Sequence, residues 1–179
     1  MPLIESIFAA SRSWLYFLLV TAFVMASAMA GDAHDAATTI YIVRHAEKLD
    51  NSADSPLAPK GVERAKELAH ILQDAGLTAI YVSDRLRTQQ TAAPTAEATG
   101  IKFSPQETSD AIVQDILDNK AGGHILVVGH SDTVAKIAAG LGSGGVPELK
   151  PSQYDRLFVV HRVGDKAHVR ILRYGAPTD

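Results

Sequence analysis

The chain has 179 residues, 46% apolar and 21% charged, enough for one domain with its own core. A formal net charge of −3 argues against a nucleic-acid binder. The absence of cysteine excludes disulfides, a thiolate metal site and a cysteine-anchored lipid.

Arg12 precedes an apolar block, Trp14 to Ala30, that closes on small residues as Ala28-Met29-Ala30, an A-x-A cleavage pattern. The expectation is a signal peptide over residues 1–30, cleaved after Ala30, although Glu5 weakens the positive leader. The alternative is an uncleaved N-terminal membrane anchor, for which the block is short against the roughly 20 residues of a span. Either way the domain is expected to be exported, to a bacterial periplasm or to a membrane facing it. A small, polar, flexible lead-in follows over residues 31–38, where His34 and Asp35 read as solvated rather than as metal ligands.

Ile40 to Val43 has the length and β-branched content of a buried strand, and it ends abruptly in Arg44-His45-Ala46-Glu47. Ligands of open α/β sheets bind outside the carboxyl ends of the strands, so an arginine beside a histidine there suggests an anion site. Glu47 reads as a buried partner that orients Arg44 or another pocket group. Residues 48–59 form a polar loop containing Asn51. A helix is expected over 60–75, with Val62, Ala65, Leu68, Ala69 and Leu72 inward and Lys60, Glu63, Arg64, Lys66 and Glu67 mainly outward. Gly76 stops it, and His70 on it reads as structural.

A second strand, residues 78–82, leads into Arg85 and Arg87 at the start of a helix that ends by Gly100, with Pro94 either tolerated near its first turns or bending it. Residues 101–103 read as a short edge strand. Residues 108–119 form a helix with Ile112, Val113 and Ile116 inward. Residues 125–129 form a third buried strand, which runs into His130-Ser131-Asp132-Thr133. Ser131 is expected to cap a helix through Leu141, buried along Val134, Ile137, Ala138 and Leu141. A glycine- and proline-rich loop follows over 140–151. Residues 155–163 and 167–173 alternate about Gly164-Asp165 and close the chain as a hairpin, with His161 and His168 paired across it.

Three strand ends thus supply two histidines and at least two arginines. At these residues the sequence resembles the histidine phosphatase superfamily, whose members are phosphoglycerate mutase-like. Arg44-His45-Ala46-Glu47 is similar to its RHG/RHA signature. Ser83 to Ala92 resembles its S-x-x-x-R-T-x-Q-T-A motif, with Arg87 in the arginine position, and Val127-Val128-Gly129-His130 resembles its second-histidine motif. Leu57-Ala58-Pro59-Lys60-Gly61 is similar to an L-T-x-x-G segment, with Ala58 replacing the capping threonine. The resemblance extends over residues 39–173. It implies a three-layer α/β/α domain over 39–179 with a mostly parallel central sheet.

It also implies a phosphate pocket of Arg44, His45, Arg87 and His130, working without metal or other cofactor. His45 would attack phosphorus and form a phosphohistidine, which water then hydrolyses. Arg44 and Arg87 suit phosphate oxygens, and His130 would donate to the phosphoryl group. The asparagine that touches phosphate in the mutases corresponds by offset to Asn51. The acid for the leaving group is open between Asp132, one residue later than in one branch of the family, and Glu107 in the variable stretch. The expected function is an exported phosphomonoesterase, not a glycolytic mutase, acting on a phosphorylated small molecule or phosphoprotein with broad specificity. A membrane is a partner only if the leader stays uncleaved. Two other readings stand beside it. One is a catalytically weak or inactive module of the same fold that binds phosphorylated ligands. The other is a hydrolytic metal site around His45 and His130, against which the arginines and the lack of compact ligand spacing argue.

Overall fold

The computed structural model describes residues 36–179. The signal-peptide and anchor expectations, and residues 31–35 of the expected lead-in, lie outside the described residues; Thr38, the last residue of that lead-in, is instead the first of a strand. No described helix is long and apolar enough to cross a membrane.

The elements are β1 (Thr38–Arg44), α1 (Pro59–Leu72), β2 (Ala79–Val82), α2 (Leu86–Thr99), β3 (Phe103–Pro105), α3 (Ser109–Asn119), β4 (His124–Gly129), α4 (Thr133–Gly140), β5 (Arg156–Val163) and β6 (Lys166–Arg173). They build one six-stranded sheet in the order β3-β2-β4-β1-β5-β6. β1 to β4 are mutually parallel, and the β5–β6 hairpin joins β1 antiparallel. The expected α/β class with a mostly parallel sheet is therefore what forms.

The sheet is covered on both faces, which is why its central strands read as unbroken apolar runs. Ile40, Ile42, Tyr81, Ile125 and Val127 pack with Ile112 and Ile116 of α3 and with Val134, Ile137 and Ala138 of α4. Val43, Ile80, Val82, Leu126 and Val128 pack with Leu68 and Leu72 of α1 and Ala92 of α2 on the other side. This layering follows from handedness. Right-handed crossovers from β1 through β2 to β3 step one way and share a face; the return from β3 to β4 puts α3 on the opposite face.

Several local expectations shift. In α1, Val62 is 41% exposed, whereas Arg64, expected outward, is only 3% exposed. The helix is rotated because Arg64 pairs with buried Glu47, not because of its apolar spacing. Pro94 is not in the first turns of α2 but inside the helix, which continues to Thr99. The edge strand falls at Phe103–Pro105, later than expected. Ser131 does not cap α4: the helix starts at Thr133, and the residue at its cap position, Asp132, makes no side-chain cap bond. Ala58 likewise provides no cap to α1, as its side chain predicts. His161 and His168 stand opposite each other across the hairpin, as expected.

Candidate active site

The register of the parallel strands builds the site. Arg44 at the end of β1 is level with Gly129 at the end of β4, so the next residues, His45 and His130, emerge side by side. The His45 N–H donates to the Gly129 carbonyl at 2.8 Å, and the two imidazole centroids are 5.3 Å apart. Val82 of β2 pairs with Val128, which brings Ser83 and the start of α2 to the same edge. A cleft of about 620 Å³ opens there. It is lined by Arg44, His45, Arg87 and His130, with Asn51, Glu107 and Asp132 also on its wall. All seven residues singled out in the sequence therefore meet at one cleft. The last three are exposed there, whereas His45 is only 4% exposed.

The His45 ring is held by its own backbone. Nδ1 lies 2.7 Å from the Ala46 carbonyl, which only accepts, so Nδ1 carries the proton and Nε2 is left with its lone pair. Burial, with Arg44, His130 and Arg87 nearby, lowers its pKa from 6.5 to about 3 against the raising effect of that bond. Burial and then Arg87 lower His130 to about 4, partly opposed by Asp132. Both rings are thus neutral at ordinary pH. His130 Nε2 sits 3.0 Å from the Ser83 hydroxyl, which also meets Thr88 Oγ1 at 2.9 Å.

Arg44 is more committed than its motif suggests. Nη1 donates to the Pro151 carbonyl at 2.7 Å, with the carbonyls of Lys150 at 3.3 Å and Gln153 at 3.4 Å beside it. Its Nε is buried with no partner among the described residues, as is the Nε of Arg87. Arg87 Nη1 donates to the Ala53 carbonyl at 3.0 Å, so the 48–57 loop braces it. Asp54 Oδ1 accepts the Leu86 N–H at 2.8 Å and caps α2 from that loop. The other polar residues of the second motif are braces. Gln90 Oε1 accepts the Leu57 N–H at 2.8 Å, and Thr91 Oγ1 accepts the Ala46 N–H at 2.9 Å.

Glu47 is buried as expected, but it turns away from Arg44 and forms a two-bond pair with Arg64, at 2.9 and 3.0 Å. Residues that sequence reasoning did not single out are Lys48, on the cleft wall, and Tyr154, under the Arg44 guanidinium. Tyr154 belongs to an irregular segment with no motif to signal it. Among the described residues, no group of three or more His, Cys, Asp or Glu side chains is placed to hold a metal ion.

Residues 40–110 match the histidine phosphatase superfamily (branch 1). Over 88 residues the chain is 35% identical to a Yersinia pestis (strain Pestoides F) protein named "Probable phosphoglycerate mutase GpmB", covering 45% of this chain and 41% of that one. The chain thus spans about two fifths of the length of the relatives it matches. The fold is shared with the protein histidine phosphatase SixA solved with tungstate, at TM-score 0.61 and 17% identity over 75% of this chain and 96% of that one. Bacillus stearothermophilus YhfR superposes at TM-score 0.62 and 20% identity, also over 75% and 96%. The phosphoglycerate mutase of Bacillus anthracis str. Sterne superposes at 0.61 and 17%, over 79% and 95%. The segment match thus covers the first strand to the start of the third helix, and the fold over residues 36–179 is the one these solved structures share.

Proposed function

We propose that the chain is an exported, metal-independent phosphomonoesterase working through a phosphohistidine on His45. The observation that carries this reading is the Nδ1 bond to the Ala46 carbonyl, which aligns a neutral ring with Nε2 unprotonated. Nε2 attacks phosphorus while the bond to the leaving oxygen breaks. Arg44, Arg87 and His130 receive the charge on the three equatorial oxygens, and Asn51 adds a contact from the wall. The departing alkoxide takes a proton from Asp132 or Glu107, the carboxylates on the cleft wall. Water then gives its proton back to that carboxylate as it attacks the phosphohistidine; the P–Nε2 bond breaks, Nε2 regains its lone pair, and inorganic phosphate is released. A hydrolase rather than a mutase fits the open wall, where exposed Asn51, Glu107 and Asp132 leave water free access to the intermediate. The substrate class is a phosphorylated small molecule or phosphoprotein.

The test is hydrolysis of p-nitrophenyl phosphate by the full-length chain in excess EDTA, beside His45→Ala. Turnover that survives chelation and is lost in the variant, with acid-labile phosphate trapped on the parent, supports the reading. Turnover abolished by EDTA points to metal chemistry instead. No turnover, but phosphate binding that Arg87→Ala removes, identifies a binding module of the same fold.

A further inference from the structure

Arg44 is the one cationic side chain of the cleft that is almost wholly buried, at 6% exposure, and its placement is set by a segment far away in sequence. The guanidinium carbon lies 4.1 Å from the centroid of the Tyr154 ring. Nη2 donates to the Tyr154 hydroxyl at 3.3 Å, and Nη1 is held by the carbonyls of residues 150, 151 and 153. These contacts take up one edge and one face of the group. The unpartnered, buried Nε remains. The Tyr154 ring also lies 6.1 Å from that of His45, so it packs beside the proposed nucleophile too.

Tyr154 is itself anchored. Its N–H donates to Thr178 Oγ1 at 3.0 Å, and Thr178 Oγ1 donates to buried Asp155 at 2.7 Å. Asp155 also takes Arg173 Nη1 at 3.0 Å. The aromatic shelf is therefore fixed to the end of β6 and to the C-terminal segment. A flexible arginine would otherwise sample many rotamers at the sheet edge, and a planar fork is useful only when its plane is set.

We propose that Tyr154 is a positioning residue: its ring and hydroxyl hold Arg44 in the orientation in which it meets the phosphoryl oxygens. The inference rests on the reading of Arg44 as a phosphoryl-binding residue. It predicts that the ring does most of the work, because the hydroxyl contact is long and the stacking contact is close.

The test compares Tyr154→Leu and Tyr154→Phe in the full-length chain, with kcat, KM and the Ki of inorganic phosphate measured well below the thermal midpoint of each. For Tyr154→Leu, kcat/KM should fall by about 10- to 100-fold with a parallel rise in the phosphate Ki. Tyr154→Phe, which keeps the ring, should stay within about threefold of the parent. In an Arg44→Lys background, Tyr154→Leu should cost much less than in the parent, because the planar group it orients is gone. The inference is overturned if Tyr154→Leu leaves both constants unchanged, or if its loss is as large beside Arg44→Lys as beside the parent arginine. If His45→Ala is as active as the parent, the phosphohistidine reading falls instead, whatever the Tyr154 variants do.

Discussion

His45 is poised by three short-range effects: burial, a carbonyl acceptor for Nδ1, and cationic neighbours that oppose protonation. Its ring should therefore stay neutral far below the pH at which a free imidazole titrates. In histidine ring 1H–13C spectra, neither His45 nor His130 should show a transition between about pH 5 and 8. A His45 midpoint near 6.5 would contradict the lowering assigned to burial and to the neighbouring Arg44 and Arg87. With folded values of about 3 and 4, the unfolded chain binds more protons below its ordinary 6.5. Stability contributed by these rings is then full above about pH 6.5 and declines as the pH falls toward the folded values.

At the scale of elements, the end of β1 is locked to α1 by the Glu47–Arg64 pair, with both side chains almost fully buried. Arg64 also donates to the carbonyls of Tyr174 at 2.9 Å and Ala176 at 2.8 Å, so four of its five N–H donors are engaged. Gly61 lets α1 come this close: a Cβ there would lie 2.3 Å from the Glu47 carbonyl oxygen. Replacing Arg64 with methionine would leave a buried carboxylate unpaired, and urea unfolding should show a loss of about 3–5 kcal/mol. Adding Glu47→Gln to that variant should recover part of the loss, since the remaining amide carries no charge. Unchanged stability in Arg64→Met would mean that the pair does not hold the strand end.

At the scale of the whole molecule, residues 174–179 tie the two sides of the site together. Tyr174 is 4% exposed, its N–H donates to the Asp155 carbonyl at 3.1 Å, and its own carbonyl accepts from Arg64. Thr178 binds Asp155 and the Tyr154 backbone. Deleting 174–179 removes a buried aromatic side chain, at about 1.5–3 kcal/mol, and strips acceptors from a buried arginine. The truncated chain should melt well below the parent, and the residual folded fraction should bind inorganic phosphate more weakly because Tyr154 loses its anchor. Equal melting temperatures would show that this segment is dispensable to the fold.

The local chemistry of this protein was legible in its residues. Buried strands announce themselves by unbroken β-branched runs, and Arg44-His45, Arg87 and His130 sit where such runs or the helix after them begin to carry charge. That placement follows from short-range pattern, so the sheet class, the charged strand ends and the missing cap at Ala58 could be read along the chain, whereas the choice of Arg87 over Arg85 rested on the family resemblance. What tertiary structure decided is what depends on partners distant in sequence. Arg64 looked like a solvated helix charge until Glu47 and the 174–176 carbonyls surrounded it. Glu47 faces α1 rather than Arg44, and Ser131 yields the start of α4 to Thr133, whose hydroxyl takes the His130 N–H at 2.7 Å. Tyr154, with no periodicity or motif around it, becomes the shelf under Arg44 only because β5 pairs antiparallel with β1 and so begins beside the end of that strand. Hydrophobic periodicity reports which face a residue prefers on average, whereas a buried charge takes the orientation that satisfies its hydrogen bonds, and those partners are set by the fold.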